Sequence, residues 1–113
     1  MKPTDLRIGC YVKLRDSGEI VRVERLSRRK CGFFHGNDKS RSYYRRFSEI
    51  EPVLIYDHWQ NINCRQLTWC GYEDGDEMYL YYYHSWPHKT FRYIHELQNI
   101  HYALTGNEIE IEL

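Results

Sequence analysis

No stretch of the chain approaches the roughly eighteen consecutive apolar residues of a membrane-spanning helix. The opening MKPTDLRIGC lacks an apolar run of signal-peptide length. The expectation is therefore a soluble, cytoplasmic protein with no membrane partner. Internal repeats, low-complexity segments and clear linkers are also missing, and 113 residues are one domain's worth, so 1–113 is expected to be a single domain. No Gly-x-Ser-x-Gly, His-Glu-x-x-His or Walker-type loop occurs. The catalytic classes built on those motifs are excluded, and no enzyme is expected.

Cysteine is sparse: Cys10, Cys31, Cys64 and Cys70. They could form two disulfides, but without an export signal, reduced and mostly buried thiols are the better reading. Cys64-x5-Cys70 with His84-x3-His88 suggests a zinc site. The cysteine spacing is wider than structural zinc prefers, and Pro87 interrupts the histidine pair. His95 and His101 are six apart in a helical segment and cannot share a ligand face. A catalytic thiol needs a histidine and an orienting group beside it, and Cys10, Cys31 and Cys70 fall inside predicted strands instead. The carboxylates of EDGDE sit at a hairpin tip, which is turn chemistry. No metal, cofactor or catalytic residue is expected.

Net charge is absent too, with 16 Lys and Arg against 16 Asp and Glu. That neutrality is a cancellation. Residues 1–51 hold 13 bases and 7 acids, a net of +6, whereas 52–113 hold 3 bases and 9 acids, a net of −6. Such asymmetry is a clue to partners.

What is abundant is aromatic and apolar: 42% hydrophobic residues and 16% aromatics, with 11 tyrosines, argue for a packed domain. The first half reads as hairpins. LRIGCYVKLR (6–15) and EIVRVERLS (19–27) are joined at Asp16-Ser17-Gly18, where Gly18 supplies a left-handed turn residue. KCGFFH (30–35) and KSRSYYRRF (39–47) turn at Gly36-Asn37-Asp38, and SEIEPVLIY (48–56) leads out past Pro52. Short strands with tight turns predict a small SH3-like β-barrel lobe, basic, over 1–56.

The acidic lobe, 57–113, is predicted as hairpin, helix and strand. RQLTWCGY (65–72) and EMYLYYYHSW (77–86) flank Asp74-Gly75. Met78, Leu80 and Tyr82 would share one face, and Tyr79, Tyr81 and Tyr83 the other. Pro87 would end the strand, and Thr90 would cap an amphipathic helix over 91–105, closed by Gly106. The helix presents Tyr93, Leu97, Ile100 and Leu104, widened by Ile94 and Ala103. NEIEIEL alternates strictly, placing Ile109, Ile111 and Leu113 inward on a short C-terminal strand. DHWQNINC (57–64) is the least patterned stretch. The fold class is thus α+β: a small SH3-like barrel, a β-hairpin, one amphipathic α-helix and a short terminal strand.

DLRIGCYVKL, FSEIEPV and YIHELQNIHYALTGNEIEI together resemble a family of small uncharacterised proteins of gut bacteria and their prophages. Leu6, Arg7, Ile8 and Gly9 match its opening motif, with Cys10 where asparagine is usual. Ile50, Glu51 and Pro52 match its central motif. His95, Leu97, Gln98, Asn99, Ala103, Leu104, Thr105 and Gly106 match its closing helix. The resemblance implies a barrel-like N-terminal part and a mobile-element setting, and brings no catalytic residues.

The charged surfaces are the candidate sites. Arg28, Arg29, Lys30, Lys39, Arg41, Arg45 and Arg46 could neutralise phosphates while Tyr43, Tyr44 or Phe33 stack on bases, a sequence-tolerant mode. Alternatively Phe33, Tyr43 and Phe47 are core, and the arginines only solvate the outer face. Glu108, Glu110 and Glu112, or the acidic hairpin tip, could dock a basic partner or protect an edge. The odd tyrosines, 79, 81 and 83, could pack or form a platform. The leading expectation is a non-enzymatic binding or accessory module acting through protein contacts or self-association. Nucleic-acid binding through 28–46 is the alternative.

Overall fold

A computed structural model of the chain describes residues 5–35, 38–84 and 86–113, with the backbone alone at 35, 38, 86 and 88. Strand is the main element of the described residues, with one α-helix among them, and the strands form small sheets without a closed barrel. The chain divides into two compact units, Met1–Val53 and Leu54–Leu113.

In the first unit, β1 (Tyr11–Leu14) lies between β2 (Ile20–Arg22) and β6 (Ile50–Glu51), both antiparallel to it. A second sheet has the order β3 (Arg25–Leu26), β4 (Lys30–His35), β5 (Asp38–Arg46). The expected continuous strand over 19–27 is broken because it serves both sheets. Val23 N–H donates to Cys10 O, and the next residue, Glu24, donates to Gly32 O, each at 2.8 Å. Gly18, at φ 73°, makes the β1–β2 turn as its sequence position predicts. The turn expected at Gly36-Asn37-Asp38 rests on residues 36 and 37, outside the described residues.

Alternation selects the core. Val12, Leu14, Val21, Val23, Cys31, Phe33, Phe47 and Ile50 are buried together, and Tyr43 packs against them. The strand predicted over 6–15 begins only at Tyr11, because the chain turns at Ile8 and Gly9, with Gly9 at φ 102°.

In the second unit, β8 (Leu67–Glu73), β9 (Asp76–Tyr83) and β10 (Trp86–Phe91) form one antiparallel sheet with β9 central. Asp74 and Gly75 take φ of 52° and 83° in the two-residue turn between Glu73 and Asp76, as the Asp-Gly pair predicts. Helix α1 (Ile94–Thr105) ends at Gly106, φ 75°, whose N–H donates to Tyr102 O. The pair β7 (Ile62–Asn63) and β11 (Glu110–Ile111) completes the unit.

Three expectations for this unit are corrected. Pro87 does not end a strand: it lies inside β10, an edge strand, beside an irregularity between Pro87 and Lys89. A proline's missing N–H is tolerated at an edge or bulge. Thr90 is accordingly a strand residue paired with Leu80, and the helix N-cap is Tyr93, with no side-chain cap. Of the two roles open to the odd tyrosines, packing holds for Tyr79 and Tyr81, on the sheet face that α1 covers. Tyr79 and Tyr81 are buried while Tyr82 is exposed, and Tyr81 Oη lies 2.7 Å from His101 Nδ1 of α1. The buried helix stripe is Ile94, His95, Leu97 and Gln98, and Ala103 faces solvent. The stretch 57–64, for which the sequence predicts no element, forms most of a 3-10 turn, Tyr56–Asn61, and β7.

At the C-terminus the alternation holds at Glu108, Ile109 and Glu110, with Ile109 buried, but Leu113 is exposed. No helix among the described residues is long and apolar enough to cross a membrane.

Candidate nucleic-acid interface

The β4–β5 register decides which of the basic and aromatic residues act together. Lys30 pairs with Arg46, Cys31 with Arg45, Gly32 with Tyr44 and Phe33 with Tyr43. Directly paired residues share a sheet face and successive residues alternate, so the cluster splits in two. Cys31, Phe33, Tyr43 and Arg45 face the core side. Lys30, Gly32, Tyr44 and Arg46 face outward.

The core-side members are occupied structurally. Tyr43 stacks against Phe33, with centroids 6.1 Å apart, and Arg41 lies over the Tyr43 ring at 5.4 Å. Arg45 lies over Phe33 at 5.9 Å and pairs with Asp16 at 3.4 Å. Burial pushes the Cys31 thiol above its usual pKa, opposed by a weaker backbone hydrogen bond, which keeps it a neutral core residue. Neither unit forms a disulfide among the described residues. Cys10 and Cys31 are buried, Cys64 is half-buried, and Cys70 is exposed at a bulge in β8, contrary to the buried position expected of it. No cluster of three or more His, Cys, Asp or Glu among the described residues could hold a metal ion.

The outward face has a different character. Tyr44 is 42% exposed, and its ring lies over Gly32, where a Cβ would meet Tyr44 Cε1 at 2.8 Å. Lys30 Nζ sits 4.9 Å from the centre of the same ring. Arg25 pairs with Gly32 across β3–β4 and so joins this face, a member that sequence reasoning missed. The signal was present only in the β3–β4 register, which no local motif announces. Arg25, Leu26, Ser27, Lys30 and Tyr44 line a shallow hollow of about 200 Å³.

Arg28 and Arg29 are exposed in the tight turn between β3 and β4, closed by Ser27 N–H donating to Lys30 O at 3.0 Å. Lys39 is exposed farther along β5. Among the described residues, Arg25, Arg28, Arg29, Lys30 and Arg46 have no carboxylate within ion-pair distance.

No family model, curated protein or solved structure matches this chain.

The chemistry of the face is therefore read from its own atoms. Lys30 directly opposite Arg46 is a like-charge cross-strand pair, an arrangement that costs stability. An anion between them removes that cost. The exposed Tyr44 ring lies on the same sheet face. The face thus sets cations unpaired among the described residues beside one exposed aromatic ring.

Proposed function

We propose that the chain is a non-catalytic binding module that takes single-stranded nucleic acid on the outward face of the β3–β4–β5 sheet. The observation that carries this reading is the exposed Tyr44 ring, which reaches across Gly32 and lies near Lys30, with Arg25 and Arg46 on the same face. Stacking of a base on an exposed ring contributes ~1–3 kcal/mol and tolerates any base. Arg28, Arg29, Lys30 and Arg46 neutralise phosphates along the backbone. Tyr43, Arg41 and Arg45 maintain the sheet from its other side.

The same reading treats the first unit as an SH3-like barrel. Three features support it: the stretch 20–26 serves two sheets, a 3-10 turn (Phe47–Glu49) separates β5 from β6, and β6 returns to pair with β1. The sequence resemblance at Leu6–Gly9, Ile50–Pro52 and His95–Gly106 supports a mobile-element setting in the cytoplasm. Docking of a protein, or of a second copy, is the second reading, favoured by the opposed charge of residues 1–51 and 52–113, +6 and −6.

The test is fluorescence anisotropy of labelled single-stranded DNA, RNA and duplex DNA across a salt series, with molar mass measured in parallel. The account expects single strands to bind best, with log affinity falling against log salt at a slope of about −2 to −3.5 for three to five phosphates. Absence of binding at low salt, with a mass increase in the protein alone, would select self-association instead.

A further inference from the structure

The second unit carries an aromatic hollow that the nucleic-acid reading does not use. One wall is the β8–β9 sheet face. Trp69 pairs directly with Tyr79, and Tyr72 with Glu77. Trp69 and Tyr72 are three apart and would ordinarily point to opposite faces. The irregularity between Trp69 and Gly71 inserts one extra residue, Cys70, and brings both rings to the same side, 5.9 Å apart and edge-on. The other wall is the 3-10 turn Tyr56–Asn61, whose Trp59 stacks on Tyr79 at 4.7 Å.

Between these walls lies a hollow of about 570 Å³, lined by Tyr56, Trp59, Trp69, Tyr79, Asp57 and Glu77 among others. Large aromatic side chains are left open to solvent around it: Tyr56 is 59% exposed, Trp69 49%, Trp59 40% and, at the rim, Tyr72 69%. Isolated exposed aromatics need no explanation, but four gathered by two elements around one hollow do.

The charge on the walls identifies the occupant. Asp57 and Glu77 are carboxylates, His58 is the basic group, and among the described residues no Lys or Arg lines the hollow. Glu77 is fixed in place: Tyr79 Oη donates to its Oε2 at 3.2 Å, and Tyr72 also bonds it. Aromatic faces with their negative quadrupole, set beside an anchored carboxylate, attract a cation that sheds water readily. A sugar's hydroxyls can donate to these acids, but only a cation also neutralises their charge, and no Lys or Arg among the described lining residues does so.

We propose that this hollow binds an alkylated ammonium group, the chemistry shared by choline-type head groups and methylated lysine side chains. Trp59 and Trp69 face the methyl groups from the two walls, and Glu77 supplies the counter-charge. The site belongs wholly to residues 54–113 and stands independently of the nucleic-acid face.

The test is titration of the full chain by tryptophan fluorescence and by two-dimensional NMR of the indole N–H signals. The probes are choline, a trimethyllysine peptide, the same peptide unmethylated, and 3,3-dimethylbutanol, which replaces the charged nitrogen of choline by carbon. The proposal expects choline or the methylated peptide to bind at least about tenfold more tightly than the neutral or unmethylated probe. A preference for the peptide places the group on a protein side chain, and a preference for choline on a free head group; either ranking supports the site.

Trp69→Ala is expected to weaken binding about tenfold or more, and Glu77→Gln, which keeps its shape, by several-fold with an unchanged circular dichroism spectrum. Equal affinity for dimethylbutanol and choline, binding unaffected by Glu77→Gln, or no indole shifts at tens of millimolar ligand would overturn it.

Discussion

The ring of Tyr44 occupies the space that a side chain on Gly32 would fill. A Cβ there would stand 2.8 Å from Tyr44 Cε1 and 3.1 Å from the Cβ of Arg25. Glycine inside a strand ordinarily weakens it, and here its cost is offset by an aromatic ring lying across the gap. The pairing of a missing side chain with an exposed ring sets the orientation of the residue to which we assign base stacking.

Gly32→Ala therefore tests the platform without touching its charge. The added methyl tilts the Tyr44 ring off the sheet, which its exposure permits, so stability falls by only about 1 kcal/mol. Affinity for single-stranded DNA should fall about fivefold or more, in line with losing part of one stacked base. Chemical denaturation and anisotropy on the same preparation check both halves.

In the second unit, the burial of His101, which lies against Tyr81, makes stability sensitive to acid. Burial lowers the His101 pKa from its ordinary 6.5, opposed more weakly by the charge of Glu108. The unfolded chain then takes a proton at about 6.5, before the folded chain does. This contribution is complete above that pH and is lost as pH falls below it toward the folded value. Thermal melts between pH 8 and 5 should show a decline that His101→Gln flattens.

The tyrosines of the same sheet give the opposite, alkaline limit. Tyr79 and Tyr81 are each pushed up to about 12, chiefly by burial, with the Glu77 hydrogen bond and charge adding to the effect at Tyr79. An unfolded phenol loses its proton near 10, so stability falls as pH rises from 10 toward 12. Denaturation midpoints at pH 8 to 11.5 should drop, and less steeply in Tyr81→Phe. Absorbance at the phenolate band should show these two titrating late.

Much of this fold follows from short-range rules, and the departures have local physical causes. Gly18, Asp74-Gly75 and Gly106 announce their turns and cap because positive φ has few alternatives. Cys70 and the irregularity beside Pro87 were hidden because a bulge depends on the partner strand. A proline that looks like a strand end is harmless once β10 is at the edge. The helix side of β9 was open in the sequence because both faces of MYLYYY read as apolar, and only the structure shows Tyr79 and Tyr81 more buried than Leu80. The basic cluster was visible in 28–46, but its division into two faces required the Lys30–Arg46 and Phe33–Tyr43 register. The aromatic hollow was invisible, since Trp59 comes from the stretch with least pattern and Tyr72 reaches its side only through the bulge.

The central claim is that the outward face, and not the whole basic segment, holds the ligand. The most direct measurement compares two charge reversals of equal size by anisotropy with single-stranded DNA. Lys30→Glu/Arg46→Glu alters the outward face, and Lys39→Glu/Arg41→Glu alters charge elsewhere on the same hairpin. The account predicts a loss of about a hundredfold or more for the first and well under tenfold for the second, with the salt slope reduced only in the first. Equal losses in both variants, or no loss in either, would contradict it.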